Sequence, residues 1–347
     1  MWKVFLAFAC HRLILLFVAF AAINASMAPV SSKRIQSTSA LMEQFKNKIA
    51  MTREAQVLDT LAPLPYAKII SETKNPFYWI GSFLKKVTPL TSASLVLILS
   101  NLFCLLFLWE LYALTSRMAL PEVAVSTAIF ALLWVTSYEL SLGSYQSLTC
   151  LLVVLVVRHA LDNTWLIGGL ALGLLAVTDL IAVGLIPLLL ILFWHYQRHE
   201  PSSEVLKKIA FFTIPLALAL VLSYQSIPSF NTQYHASALA TLVGFISRGE
   251  WGALFSQASL GQTISVIIFF AGMIVTVGVN NVWLHKLIPA YLFFVVLLFS
   301  DFGSLGSRII LSAVVLQGIS TVSSVLVERL LQLGLIVISG FEIASIF

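Results

Sequence analysis

Leu90-Thr-Ser-Ala-Ser-Leu-Val-Leu-Ile-Leu-Ser-Asn-Leu-Phe-Cys-Leu-Leu-Phe-Leu-Trp-Glu110-Leu-Tyr-Ala-Leu114 carries a single charge, Glu110, in 25 residues. As a helix this run is about 37 Å long, more than the roughly 30 Å of bilayer hydrocarbon. The rest of the chain is like it. Of 347 residues 59% are hydrophobic and 10% charged, with a mean hydropathy of +0.97. Soluble domains carry about 25% charged residues, so an ordinary soluble catalytic domain is excluded. Apolar runs at 5–28, 90–114, 121–140, 145–158, 164–178, 180–196, 209–227, 263–281, 287–300, 307–326 and 329–346 predict an all-α polytopic membrane protein of ten or eleven spans. The expected organisation is a single membrane domain, 1–347, with a long first loop at 30–88 containing amphipathic segments and a second connection at 228–262. The spans 145–158 and 164–178 are short, and suit tilted or re-entrant helices shielded by neighbours.

The net charge of +5 is confined to one segment. Residues 30–88 hold nine bases, Lys33, Arg34, Lys46, Lys48, Arg53, Lys68, Lys74, Lys85 and Lys86, against Glu43, Glu54, Asp59 and Glu72. Elsewhere the charges balance, which argues for a solvated face near lipid headgroups and against a nucleic-acid partner. The short-loop bases Arg117, Arg158, Arg198, Lys207, Lys208, Lys286 and Arg329 fall on one side of the predicted bundle. By the positive-inside rule that side is cytosolic, as is the N-terminus, and both long loops are luminal. The first apolar run is read as an uncleaved span rather than a signal peptide. Cys10, Cys104 and Cys150 sit in apolar runs without metal-ligand spacing and read as packing residues. His195 and His199 are four apart without the glutamate of an HExxH pattern, so no metal and no cofactor is expected.

Charges within spans are costly and therefore functional suspects. Glu110 lies one turn from a span end, where it reaches the interface, and Glu139 sits near Tyr138 and Tyr145 in an interfacial belt. No clear intramembrane ion pair is legible. Asp179, in Ala176-Val177-Thr178-Asp179, reads either as a cap on the following helix or as a luminal acid facing a ligand. The first loop is richer. Asp59, Pro65, Tyr66, Glu72, Thr73 and Tyr78 interleave with Lys68 and Lys74. Prolines fix a backbone, rings cover sugar faces, and carboxylates and ammonium groups hold hydroxyls and phosphates, so this set suits a glycan or phosphosugar. A loop packed on the membrane surface is the plainer alternative.

Four short motifs in this loop carry a resemblance: Val57-Leu58-Asp59, Leu64-Pro65-Tyr66, Ser71-Glu72-Thr73 and Phe83-Leu84. Together with the many uneven spans, they resemble the GT-C membrane glycosyltransferase architecture and, within it, the PIG-U subunit of the GPI transamidase. The PIG-U pattern is Leu-Leu-Asp, Ser-Pro-Tyr and His-Glu-Thr-Pro before an apolar helix ending in Phe-Leu. Leu64 and Ser71 depart from it, and the proline is displaced to Pro76. Looser likeness continues through Ser137-Tyr138, the Gly-rich run from Trp165, and Gly303 to Ser307.

The resemblance implies a non-catalytic subunit of the endoplasmic reticulum membrane that binds the GPI lipid through Asp59, Pro65, Tyr66, Glu72, Thr73, Tyr78 and Asp179. Its implied partners are a caspase-like catalytic subunit and PIG-T-, PIG-S- and Gaa-type subunits. Related GPI mannosyltransferases use dolichol-phosphate-mannose and often carry an Asp-x-Asp in this loop, where this chain has the lone Asp59. An acceptor hydroxyl must lose its proton to a base, so a transferase is the alternative reading and would rest on that one acid. A transporter is a third, for which matched interrupted helices are missing.

Overall fold

The structure is a computed structural model, and it describes residues 2–27, 52–73, 75–118, 121–133, 143–197, 200–222 and 283–299, with positions 240, 243–244, 247–249, 333 and 337. Among these residues every regular element is an α-helix. They are α1 (Trp2–Met27), α2 (Arg53–Leu61), α3 (Tyr66–Glu72), α4 (Pro76–Val87), α5 (Ser92–Met118) and α6 (Pro121–Leu133). After these come α7 (Gln146–Leu161), α8 (Trp165–Thr178), α9 (Ile181–Gln197), α10 (Ser202–Leu222) and α11 (Trp283–Phe299). The spans expected at 263–281, 307–326 and 329–346, most of the connection 228–262, and residues 30–51 lie outside the described residues, as do Glu139 and the 303–307 motif. One described helix, Ser92–Arg117, is long and apolar enough to cross a membrane. The stretches 146–161, 165–178, 181–197 and 290–299 are apolar but shorter.

Local chemistry sets the helices of the basic segment. Thr52 Oγ1 accepts the Ala55 N–H at 3.4 Å, and Asn75 Oδ1 accepts that of Phe77 at 3.0 Å, each satisfying a first-turn donor that the helix itself cannot. Pro76 stands at the first turn of α4, where a missing N–H costs nothing, and Lys85 and Lys86 occupy the last turn, where the helix dipole favours cations. Among the described residues the second part of the expected loop, 52–88, carries three short helices. α2 buries Ala55, Leu58 and Leu61, and α4 buries Phe77, Tyr78, Gly81 and Ser82. Both pack on α5. Gly81 permits the close approach: a Cβ there would lie 3.0 Å from Leu58 Cδ1 and 3.6 Å from Leu99 Cδ1.

α5 and α7 pack along each other and run parallel. Near the start of both, Ser100 Oγ donates to Ser144 O at 3.4 Å; towards their ends, Arg158 meets Glu110. α7 then reverses into α8 at Asn163, whose φ of +58° is a left-handed conformation that asparagine tolerates better than most residues. α8 reverses again at Asp179, which caps α9 by accepting the Ile181 N–H at 3.1 Å. The bundle thus has a first end, with α2–α4, residues 143–145 and the Asp179 turn, and a second end with Arg117, Arg158, Asn163 and Gln197.

α8 packs most extensively on α10. Their contact is backbone on backbone. A Cβ at Gly169 would sit 2.5 Å from Phe211 O, and one at Gly173 would sit 2.8 Å from Pro215 O. Pro215 has no N–H to give to Phe211 O, four residues earlier, so the carbonyl facing Gly169 is one the helix leaves free. Small residues four apart allow such an approach in apolar surroundings. Gly169→Leu must push the two helices apart and is expected to destabilise the bundle by about 3 kcal/mol, the upper range for overpacking. Leu170→Ala, at an exposed neighbour, should change little. Thermal unfolding of the detergent-purified variants checks both outcomes.

Candidate functional site

The polar residues of the first end fall into two groups: those that face outwards and those that close the fold. Asp59 faces outwards, its side chain 63% exposed, at the end of α2. It accepts a hydrogen bond from Ser92 Oγ at 2.5 Å and has Lys85 Nζ at 3.7 Å. On the next residue, the Lys86 ammonium lies 4.1 Å above the Tyr66 ring and donates to Leu64 O. Pro65 stands at the start of α3 and so fixes where that ring emerges. Asp59 and Tyr66 are thereby linked through adjacent lysines, one carboxylate, two ammonium groups and an exposed ring on a single surface.

Glu72 stands at the far end of α3, paired with Lys68 at 3.9 Å, both half exposed. Thr73 works within the chain: its carbonyl accepts the Trp79 indole N–H at 2.7 Å, and its Oγ1 accepts the Asn75 N–H at 3.4 Å, which shapes the turn from α3 into α4. Tyr78 is buried, with its ring edge-on to Phe77 at 5.7 Å. It falls on the face of α4 that packs inwards with Gly81 and Ser82, so its ring offers no face to a ligand, and Tyr66 is the exposed tyrosine of the pair. Asp179 is buried and shares the first end, where its bond to Ile181 is that of a helix cap.

Two features were not legible in the sequence. The first is an ion pair between apolar helices. Glu110 and Arg158, expected at an interface and in a cytosolic loop, meet between α5 and α7 with side chains 16% and 24% exposed. This corrects the expectation that no such pair exists. Asp162 extends it, lying 3.5 Å from Arg158 Nε and 3.1 Å from Arg117 Nη2. A second polar chain adjoins it: Asn163 Oδ1 accepts from Trp165 Nε1 and from Gln197 Nε2 at 2.6 Å, and Gln197 Oε1 accepts from Lys208 at 2.9 Å. The only signal in the sequence was that Glu110 and Arg158 each lie in the last turns of an apolar helix.

The second feature is Glu54 on α2. Burial pushes its carboxyl above the ordinary value, against smaller opposing contributions from its own backbone and Arg53. The Tyr78 phenol is also raised, first by burial, then by the nearby Glu54 and Tyr145. Among the described residues no three metal-ligating side chains come together.

Comparison of the chain with protein-family models, with curated proteins and with solved structures gives no match. The reading of the site therefore rests on its own geometry.

Glu54 has a consequence for pH. Because its folded-state value lies above the ordinary 4.5, the folded chain holds this proton more tightly than the unfolded one. Stability is lost as pH rises from 4.5 through the raised value, and is unaffected by the group below both. Glu54→Gln removes the ionisation. The variant should match the parent below pH 4.5 and unfold at a higher temperature at pH 7, as followed by melting curves across that range.

Proposed function

We propose that this chain is a multi-spanning, non-catalytic membrane subunit that holds the headgroup of a phosphoglycolipid at the first end of its bundle. In its specific form, the reading is a PIG-U-like subunit of the GPI transamidase in the endoplasmic reticulum, with the first end luminal, the N-terminus cytosolic and the other transamidase subunits as partners. The observation that carries it is the group of Asp59, Lys85, Lys86 and the exposed Tyr66, set on α2 and α4, which pack against the long apolar α5, and on α3, which packs on α4. Its chemistry is that of a glycan-phosphate headgroup: a carboxylate for hydroxyls or an ammonium, lysines for a phosphate, a ring for a sugar face. The composition and the apolar helices support the membrane setting, and the motif resemblance supports the ligand.

In this reading Asp59 and Glu72 accept hydrogen bonds from the ligand, Tyr66 supplies the ring, and Pro65 and Thr73 place them. Tyr78 and Asp179 hold the surrounding fold, with Asp179 as helix cap. A charge-assisted hydrogen bond contributes about 1.5 to 3 kcal/mol, tenfold or more in affinity. Glu72→Ala disturbs only a surface pair with Lys68, while Asp59→Ala also removes the partner of Ser92. Both variants should lower surface display of a GPI-anchored reporter by tenfold or more, with assembled complex at the parental level. Parallel loss of assembly would make the segment scaffolding, and normal display would remove these acids from the site. Mannose transfer from a dolichol donor by the purified chain would overturn the non-catalytic assignment.

A further inference from the structure

α4 is apolar on two opposite faces. One packs inwards. The other, Ile80, Phe83 and Val87 at the i, i+3, i+7 spacing of a helical stripe, is exposed, Phe83 by 52% and Val87 by 60%. This stripe continues onto α3, where Tyr66 meets Phe83 with ring centroids 6.1 Å apart and Ile70 comes one turn later, also exposed. Lys86 stands at its edge, with its ammonium 4.1 Å above the Tyr66 ring.

The neighbours of this face indicate its cover. Only residues 88–91 separate α4 from α5, the helix long and apolar enough to cross a bilayer, so the stripe lies beside the point where the chain enters α5. The exposed apolar surface does not stop there. Ile98, Leu102, Leu106 and Trp109, three or four residues apart, make an exposed stripe along α5 itself. An apolar helix face bordered by a lysine is the pattern of a helix lying in the plane of a membrane, with the stem of the lysine along the apolar surface and its ammonium group at the phosphates.

We propose that the outer face of α3 and α4 lies in the headgroup layer of an anionic bilayer, with Ile80, Phe83 and Val87 below the phosphates and Lys86 among them. The inference rests on the membrane setting given under Proposed function, but not on the identity of the bound glycolipid. Lys68 and Lys85 already face Glu72 and Asp59, whereas Lys86 bonds to a backbone carbonyl and a ring, so Lys86 is the lysine whose charge is least neutralised by the fold. One lysine near an anionic surface changes partitioning by about fivefold.

The test uses the full chain with p-benzoylphenylalanine in place of Ile80, Phe83 or Val87, and in place of Ile98 as a reference on α5. Each protein is reconstituted in vesicles of phosphatidylcholine, alone or mixed with phosphatidylserine, irradiated, and its adducts identified by mass spectrometry. Lipid adducts are expected at all four positions. In mixed vesicles those at 80, 83 and 87 should be enriched in phosphatidylserine, and Lys86→Gln should reduce the enrichment about fivefold. Lipid adducts at Ile98 with only protein adducts at 80, 83 and 87 would overturn the proposal and make the face a contact between chains. An unchanged lipid ratio in the Lys86→Gln protein would overturn the role of Lys86. The absence of lipid adducts at every position, Ile98 included, would overturn the membrane setting itself.

Discussion

A glutamate and an arginine that meet between two apolar helices set the register on which the rest of the bundle depends. Glu110 and Arg158 lie on α5 and α7, with most of each side chain withdrawn from solvent. Either charge alone in apolar surroundings costs about 3 kcal/mol on insertion scales, and together they satisfy each other only at one register of the two helices. Sliding α7 by a turn would part them. The pair also positions the next reversal of the chain, because Asp162, which binds both Arg158 and Arg117, stands one residue before Asn163. From Asn163 the polar contacts pass through Gln197 to Lys208 and Glu200, so α5, α7, α8, α9 and α10 are joined at this end.

The first end is held by other means. Helix caps at Thr52, Asn75 and Asp179, inward apolar faces on α2 and α4, and the hydrogen bond from Ser92 to Asp59 fix its elements. Its cations are spread along the surface rather than matched inside. The two ends therefore divide the work between them. Glu110 and Asp162 at the second end are engaged by arginines of the fold and withdrawn from solvent, whereas Asp59 at the first keeps most of its exposure. Exposed charge is found at the second end too, in Glu204 beside Lys207, so the proposed binding at the first end is supported by the exposed Tyr66 ring next to Lys86 and Asp59 rather than by charge alone.

Much of the local structure was legible in the sequence. The apolar run 90–114 announces α5, and the all-α class follows from the length and number of the apolar runs. The long first loop was only partly legible, because α2, α3 and α4 are short and owe their helicity to packing, α2 and α4 on α5 and α3 on α4, as much as to propensity. Tyr66 and Tyr78 look equivalent as residue types, and only the three-dimensional phase of α4 separates the buried ring from the exposed one. Glu110 and Arg158 could not be paired from spacing, since α6 and the connection 134–142 intervene between the two helices. The close approach of α8 and α10 left a trace in Gly169-x-x-x-Gly173, but its partner, the carbonyl freed by Pro215, lies on a helix two further along. The resemblance to PIG-U reached the same segment by motif, and remains a proposal about the ligand rather than about the fold.

The most direct measurement is a double-mutant cycle across the ion pair, with Glu110→Gln, Arg158→Met and the two combined, each unfolded reversibly in mixed micelles. The pair, if it sets the register, makes each single change cost about 3 kcal/mol by leaving a partner charge uncompensated, and makes the double change cost less than the sum by about 2 kcal/mol. Additive losses, with a coupling below about 0.5 kcal/mol, would contradict it and show that α5 and α7 take their register from apolar packing alone.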